Sequence, residues 1–229
     1  MKDFIRAMKL YLKNVIYLPT TALSAAVFFA YLKMIMNFKR NYLNDIEMKP
    51  QTLLILFSLY HIPVIAFFLQ GAYKTSKNKF FLSTSYAKRY LAAVPVISAL
   101  ILSLVLDVIM NAVISVYAEE LSLSTAIIIN ALATVIVCFI TGALDKAELQ
   151  PIALCAVPLF FMGGFSISKN IVIFTDIPVP AAIVLAVIIY AAGTALNILI
   201  MLLWWKFSGR SFASGNVSSI KRLFSFTDK

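Results

Sequence analysis

The chain has 229 residues, of which 62% are hydrophobic and only 13% charged, with a mean hydropathy of +0.91. An average soluble domain is about 45 to 50% apolar and 25% charged, so a water-soluble fold could not hide this much apolar surface, and a soluble catalytic domain is excluded. The net charge of +10 follows the positive-inside bias of membrane proteins rather than contact with nucleic acid. Cys138 and Cys155 both lie in apolar runs, which indicates neither a disulfide framework nor a metal cluster; both read as small buried hydrophobes.

Each bilayer crossing needs roughly 20 mostly apolar residues. The chain therefore has room for six crossings within a single transmembrane domain, residues 1–229. The predicted fold is all-α and polytopic, with six transmembrane helices, an N-terminal interfacial amphipathic helix and a re-entrant outer hairpin before the last helix. Lys2, Arg6, Lys9 and Lys13 share one helical arc, and Phe4, Met8, Tyr11, Leu12 and Val15 share another. That pattern predicts an interfacial helix over 2–14. Ala22-Leu23-Ser24 resembles a signal-peptide cleavage site, but the apolar run continues through Val27, Phe28, Phe29 and Tyr31, which favours an uncleaved first crossing over 15–36.

The next crossings are predicted over 52–72, 90–117 and 121–143. The fifth, 150–167, reaches Gly163-Gly164 after only a dozen residues, and the sixth spans 179–205. The Gly pair breaks the helix, and irregular backbone at membrane depth survives only where protein or a water-filled cavity surrounds it, which suggests a hairpin dipping in from the outer face. An ordinary outer loop is the competing reading. Trp204-Trp205 before Lys206 is an interfacial anchor, and the Ser- and Gly-rich tail 207–229 reads as cytoplasmic and lipid-associated or partly disordered.

With the N-terminus inside, the leader, the 71–90 segment, Lys146, Lys206 and the tail hold 15 of the 20 cations. Lys33, Lys39, Arg40, Lys49 and Lys169 lie outside. This bias predicts cytoplasmic N- and C-termini.

In the third crossing Ser103, Asp107, Asn111 and Ser115 recur every four residues and fall on one face. Asn130, Thr134 and Cys138 make a similar stripe in the fourth, and Gly193 and Asn197 a shorter one in the sixth. Interhelical hydrogen bonding explains such stripes. Asp107 calls for more, because an intramembrane carboxylate costs about 2.5 to 3.5 kcal/mol at the helix centre on insertion scales. His61 is the single histidine, so a two-histidine zinc motif cannot exist, and it reads as a satisfied bundle-facing residue. There is no G-x-S-x-G nucleophile elbow and no G-x-x-x-x-G-K-[ST] phosphate loop.

Residues 71–90 carry Lys74, Lys77, Lys79, Lys88 and Arg89, no acid, and Phe80, Phe81, Leu82 and Tyr86 among them. Two readings fit: an anchor on anionic lipid, each cation contributing about 1 kcal/mol, or a short cytoplasmic helix that docks a partner.

The order of parts resembles the membrane subunit of ABC-2 type (type V) ABC exporters. The shared parts are the amphipathic leader, the basic aromatic 71–90 segment, a second cytoplasmic loop with Asp145, Lys146, Glu148 and Pro151, and the Gly-containing hairpin over 163–178. The resemblance covers nearly the whole chain and is one of layout rather than of a strict motif. It implies that the leader is a connecting helix and that 71–90 is the main coupling helix, seated in a groove of a cytoplasmic ABC ATPase subunit. Asp145, Lys146 and Glu148 would belong to a second coupling element, and Met162, Gly163, Gly164 and Phe165 to an outer gate. It further implies a homodimer of membrane subunits in a bacterial plasma membrane, with ATP and Mg held by the partner and no cofactor in this chain. The layout is similar to bacterial exporters of amphipathic peptide toxins such as phenol-soluble modulins, although the short outer loop 37–51 offers no large external domain.

The expected function is thus a non-enzymatic permease subunit of an ATP-driven exporter. Its substrate pathway would run past Phe57, Tyr60, His61, Asp107, Asn111, Asn130 and Asn197. The alternatives are an ion-coupled secondary transporter or channel using Asp107 as a proton or cation site, and a membrane scaffold or immunity protein that binds a partner through its basic loop.

Overall fold

A computed structural model describes residues 2–16, 18–36, 58–65, 67–68, 92–117, 122–144, 155 and 177–208. Every regular element among them is helical: α1 (Lys2–Val15), α2 (Leu18–Met36), a 3₁₀ turn (Ser58–Tyr60) leading into helical residues 61–65, α3 (Val94–Tyr117), α4 (Leu123–Ala143) and α5 (Val179–Ser208).

Local chemistry explains the starts. α2, α3 and α5 each carry a proline at their second residue, Pro19, Pro95 and Pro180. An amide there has no partner one turn back, so the missing N–H costs nothing. At α4 the Ser122 side chain caps the helix, accepting from the Thr125 backbone N–H at 3.3 Å.

Among the described residues three helices are long and apolar enough to cross a bilayer: Val94–Tyr117, Leu123–Ala143 and Val179–Trp204, each with mean hydropathy 2.4. Their polarity runs opposite to that of a water-soluble bundle. Ser98, Ser103, Asp107, Asn130, Thr134 and Asn197 are buried, whereas Val105, Val108, Val184, Val187, Ile188 and Leu196 are exposed. That distribution suits hydrocarbon surroundings, where apolar side chains gain little from leaving the exterior and polar ones must pair inside. α4 is the central helix, with 67% of its most apolar stretch buried against 33% for α3 and 17% for α5.

The buried clusters fix helix direction. One end of the bundle joins Ala7, Tyr11 and Val15 of α1, Val64, Phe68, Val94 and Val96, Ala143 and Leu144 at the end of α4, and Met201 late in α5. Toward the other end, Ile35 of α2 packs with Met110 and Ile114 of α3 and Ala126 of α4. Ile127, Ile128 and Ala131 of α4 meet Ala182 and Ala186 of α5. Thus α3 and α4 are antiparallel, whereas α5 runs parallel to α4 and α2 parallel to α3.

α1 rests on protein. Ala7, Tyr11 and Val15, four residues apart, are fully buried, and the Tyr11 ring stacks on Phe68 with centroids 6.2 Å apart and planes 11° from parallel. Lys2, Arg6, Lys9 and Lys13 stay exposed on the opposite arc. Tyr11→Ala should loosen α1 at a cost of about 2 kcal/mol, the low end for large-to-small core substitutions. Faster proteolysis within residues 2–16 would register it, and an unchanged cleavage rate would contradict the packing role.

Cys138 is buried, but Cys155 is exposed, contrary to the expectation that both are hidden. An apolar run in a membrane chain can face lipid as readily as protein, so hydropathy does not fix burial there.

α4 and α5 approach closely at Gly193. A Cβ at that position would lie 2.4 and 2.6 Å from the two Val135 methyls, so only glycine fits. One turn later Asn197 Nδ2–H donates to the Val135 carbonyl oxygen at 2.9 Å and holds the same crossing.

Candidate functional site

The centre of the bundle is a polar cluster built around Asp107 of α3, which is 2% exposed. Four donor groups from three other segments surround its carboxylate. Tyr60 donates its hydroxyl to Oδ1, and His61 Nε2 lies 3.1 Å from the same oxygen. The hydroxyls of Thr134 on α4 and Tyr190 on α5 each donate to Oδ2 at 2.7 Å. An ionised carboxylate offers about four lone-pair sites, so this set meets its whole accepting capacity.

His61 is held from both sides. Its Nδ1 lies 2.8 Å from the Ser58 carbonyl oxygen, and its Nε2 lies 2.9 Å from Thr134 Oγ1. The ring also stacks on Tyr60, with centroids 4.1 Å apart. The 3₁₀ turn over Ser58–Tyr60 places both side chains on the core face: it carries Tyr60 into the bundle and offers the Ser58 carbonyl to the next residue's ring. One turn further along α3, Asn111 Oδ1 accepts from Asn130 Nδ2 at 2.8 Å.

Spacing on α3 and α4 accounts for part of this cluster. Residues 103, 107 and 111 recur at i, i+4 and i+8, as do 130 and 134, so facing stripes meet and exchange hydrogen bonds. Ser115 continues the α3 spacing but not the burial: it is exposed and donates to the Ala112 carbonyl oxygen at 2.8 Å. Asn197 sits away from Asp107, at the Gly193 crossing. Sequence reasoning missed Tyr190. It lies three residues before Gly193 in an unbroken apolar run and gives no local sign that its hydroxyl is needed at the bundle centre.

Beside Tyr60 a crevice of about 220 Å³ lies between α2, residues 60–67 and α3, lined by Ser24, Ala25, Phe28, Phe29, Pro63, Phe67 and Leu106 among others. Its walls are almost wholly apolar, and the Ser24 hydroxyl, which donates to the Pro63 carbonyl oxygen at 3.1 Å, ties α2 across it.

Of the residues singled out in the sequence, Tyr60, His61, Asp107, Asn111 and Asn130 come together. Phe57, the basic set Lys74, Lys77, Lys79, Phe80, Phe81, Tyr86, Lys88 and Arg89, the set Asp145, Lys146 and Glu148, and Met162, Gly163, Gly164 and Phe165 lie outside the described residues. No group of three or more His, Cys, Asp or Glu side chains able to hold a metal occurs among the described residues. Comparison with protein-family models, curated proteins and solved structures returns no match.

Proposed function

We propose that the chain is the membrane subunit of an ATP-driven exporter of the ABC-2 type, crossing the bilayer six times and working as a homodimer with a cytoplasmic ATPase that binds ATP and Mg. One observation carries the reading. The described residues that flank the basic segment, Phe68 and Ala92, are buried in the same end cluster as α1 and as Ala143 and Leu144, which precede Asp145. The described residues next to the 71–90 segment and to the loop after α4 therefore lie with the leader at one end of the bundle, as engagement of all three by a single cytoplasmic partner requires.

Helix direction supports the six crossings. α5 starts at the end of the bundle opposite to the end of α4, as a fifth crossing between them requires. α2 and α3 are parallel as well, and the 58–68 segment between them descends from the level of Asp107 to that of Tyr11. Cysteines introduced at Lys77 and Arg222 are therefore expected to label from the inside and one at Glu119 from the outside. Labelling of Lys77→Cys and Arg222→Cys from opposite faces would overturn the topology.

For the coupling role, the decisive experiment replaces Lys77, Lys79, Lys88 and Arg89 together by glutamine and assays ATP hydrolysis by the ATPase that copurifies with the chain. Substrate-stimulated hydrolysis is expected to fall at least about tenfold, the equivalent of 1.4 kcal/mol of coupling. Unchanged hydrolysis would leave 71–90 as a lipid anchor.

A second reading, ion-driven transport through Asp107, draws on the buried cluster.

A further inference from the structure

The protons of the central cluster can be counted. The Ser58 carbonyl oxygen only accepts, so His61 Nδ1 carries a hydrogen. The Thr134 hydroxyl hydrogen is committed to Asp107 Oδ2, which leaves Thr134 Oγ1 an acceptor toward His61 Nε2. Nε2 therefore faces two oxygens, Thr134 Oγ1 at 2.9 Å and Asp107 Oδ1 at 3.1 Å, and one proton belongs in that gap. With this proton the imidazole and carboxylate are together neutral. Losing it leaves one net negative charge at the centre of the bundle, and gaining a second leaves one net positive charge.

We propose that His61 and Asp107 form a binding site for one exchangeable proton, reached along the polar face of α3. Ser103 Oγ, one turn before Asp107, and Ser98 Oγ, nearer the end that holds α1, are buried and have no hydrogen-bond partner among the described residues. Neither hydroxyl reaches the other or the pair directly, so a proton passes between that end and the pair only where water bridges these hydroxyls, each of which both donates and accepts. The ionisable groups that face the pair are Tyr60 on its own segment, Cys138 on α4 and Tyr190 on α5. Among the described residues α1 and α2 bring none into contact with it. The site stands independently of any ATPase partner.

Because His61 is the single histidine, histidine labelled with ¹⁵N reports on this residue alone in a chain purified without a histidine tag. Solid-state NMR of the labelled protein in phosphatidylcholine and phosphatidylglycerol vesicles should show the Nε2 proton exchanging with deuterated solvent. An Nε2–H signal that survives prolonged incubation would mean a sealed structural pair and overturn the proposal. Asp107→Asn should change the exchange rate at least about tenfold, and an unchanged rate overturns the shared site. Should that variant fail to fold, Thr134→Val keeps the shape and removes one hydrogen bond from each partner, and an exchange rate unchanged there overturns the proposal equally. Ser103→Ala should slow the exchange about tenfold, and unchanged exchange overturns the path along α3.

Discussion

Asp107→Ala is expected to cost about 3 to 5 kcal/mol of stability, more than a single interhelical hydrogen bond can account for. Such bonds in membranes average about 0.6 kcal/mol and rarely exceed about 1.7. Asp107 differs because one carboxylate serves Tyr60, His61, Thr134 and Tyr190 at once, from three segments besides its own. Removing it leaves three hydroxyls and an imidazole buried with their common acceptor gone, and breaking a buried pair by deleting one partner lies in the 3 to 5 kcal/mol range. Asn130→Ala, which removes one bond to Asn111, sets the scale and should cost about 0.6 kcal/mol. Reversible unfolding by sodium dodecyl sulfate in mixed micelles gives both values. An Asp107→Ala cost no larger than that of Asn130→Ala would show that the carboxylate does not organise the bundle.

The second large effect is expected at Gly193, where alanine should destabilise the chain by about 2 to 3 kcal/mol. The added Cβ would sit 2.4 Å from Val135 Cγ2 and 2.6 Å from Cγ1, on a β-branched side chain that cannot swing clear. α5 would have to lift away from α4. That movement would also stretch the bond from Asn197 to the Val135 carbonyl and draw the Tyr190 hydroxyl from Asp107. Forced overpacking of this kind costs about 1 to 3 kcal/mol. The mechanism predicts its own suppressor. Val135→Ala removes both methyls and should restore most of the loss, but not all, because Val135 Cβ itself lies 3.1 Å from the new atom. Failure of the double variant to recover would place the defect elsewhere than in this crossing.

The three long apolar helices are legible in the amino-acid sequence because a bilayer imposes a length on each apolar run. The leader's two arcs, the crossings at α3, α4 and α5 and the facing stripes of Asp107, Asn111, Asn130 and Thr134 all follow from periodicity. The rest of the cluster depends on partners far apart in the chain. His61 and Asp107 are 46 positions apart, and Tyr190 lies 83 positions beyond Asp107. Helical spacing relates residues within one helix and carries no information about which helix stands opposite. A tyrosine in an apolar run reads as a large hydrophobe whether or not its hydroxyl is used. The apolar arc of α1 shows the same limit: spacing gives the arc, and only the position of Phe68 shows that protein, rather than lipid, covers it.

The sequence distances within the cluster also set an order of events during biogenesis. α3 and α4 are joined by the few residues of 118–122 and can pair as soon as both have left the translocon, so the bonds from Thr134 to Asp107 and from Asn130 to Asn111 form early. Tyr190 is synthesised last, and until α5 docks the carboxylate lacks one of its donors. Until residue 190 is in place three of the four donors can face the carboxylate, so the bundle centre is completed only when α5 docks.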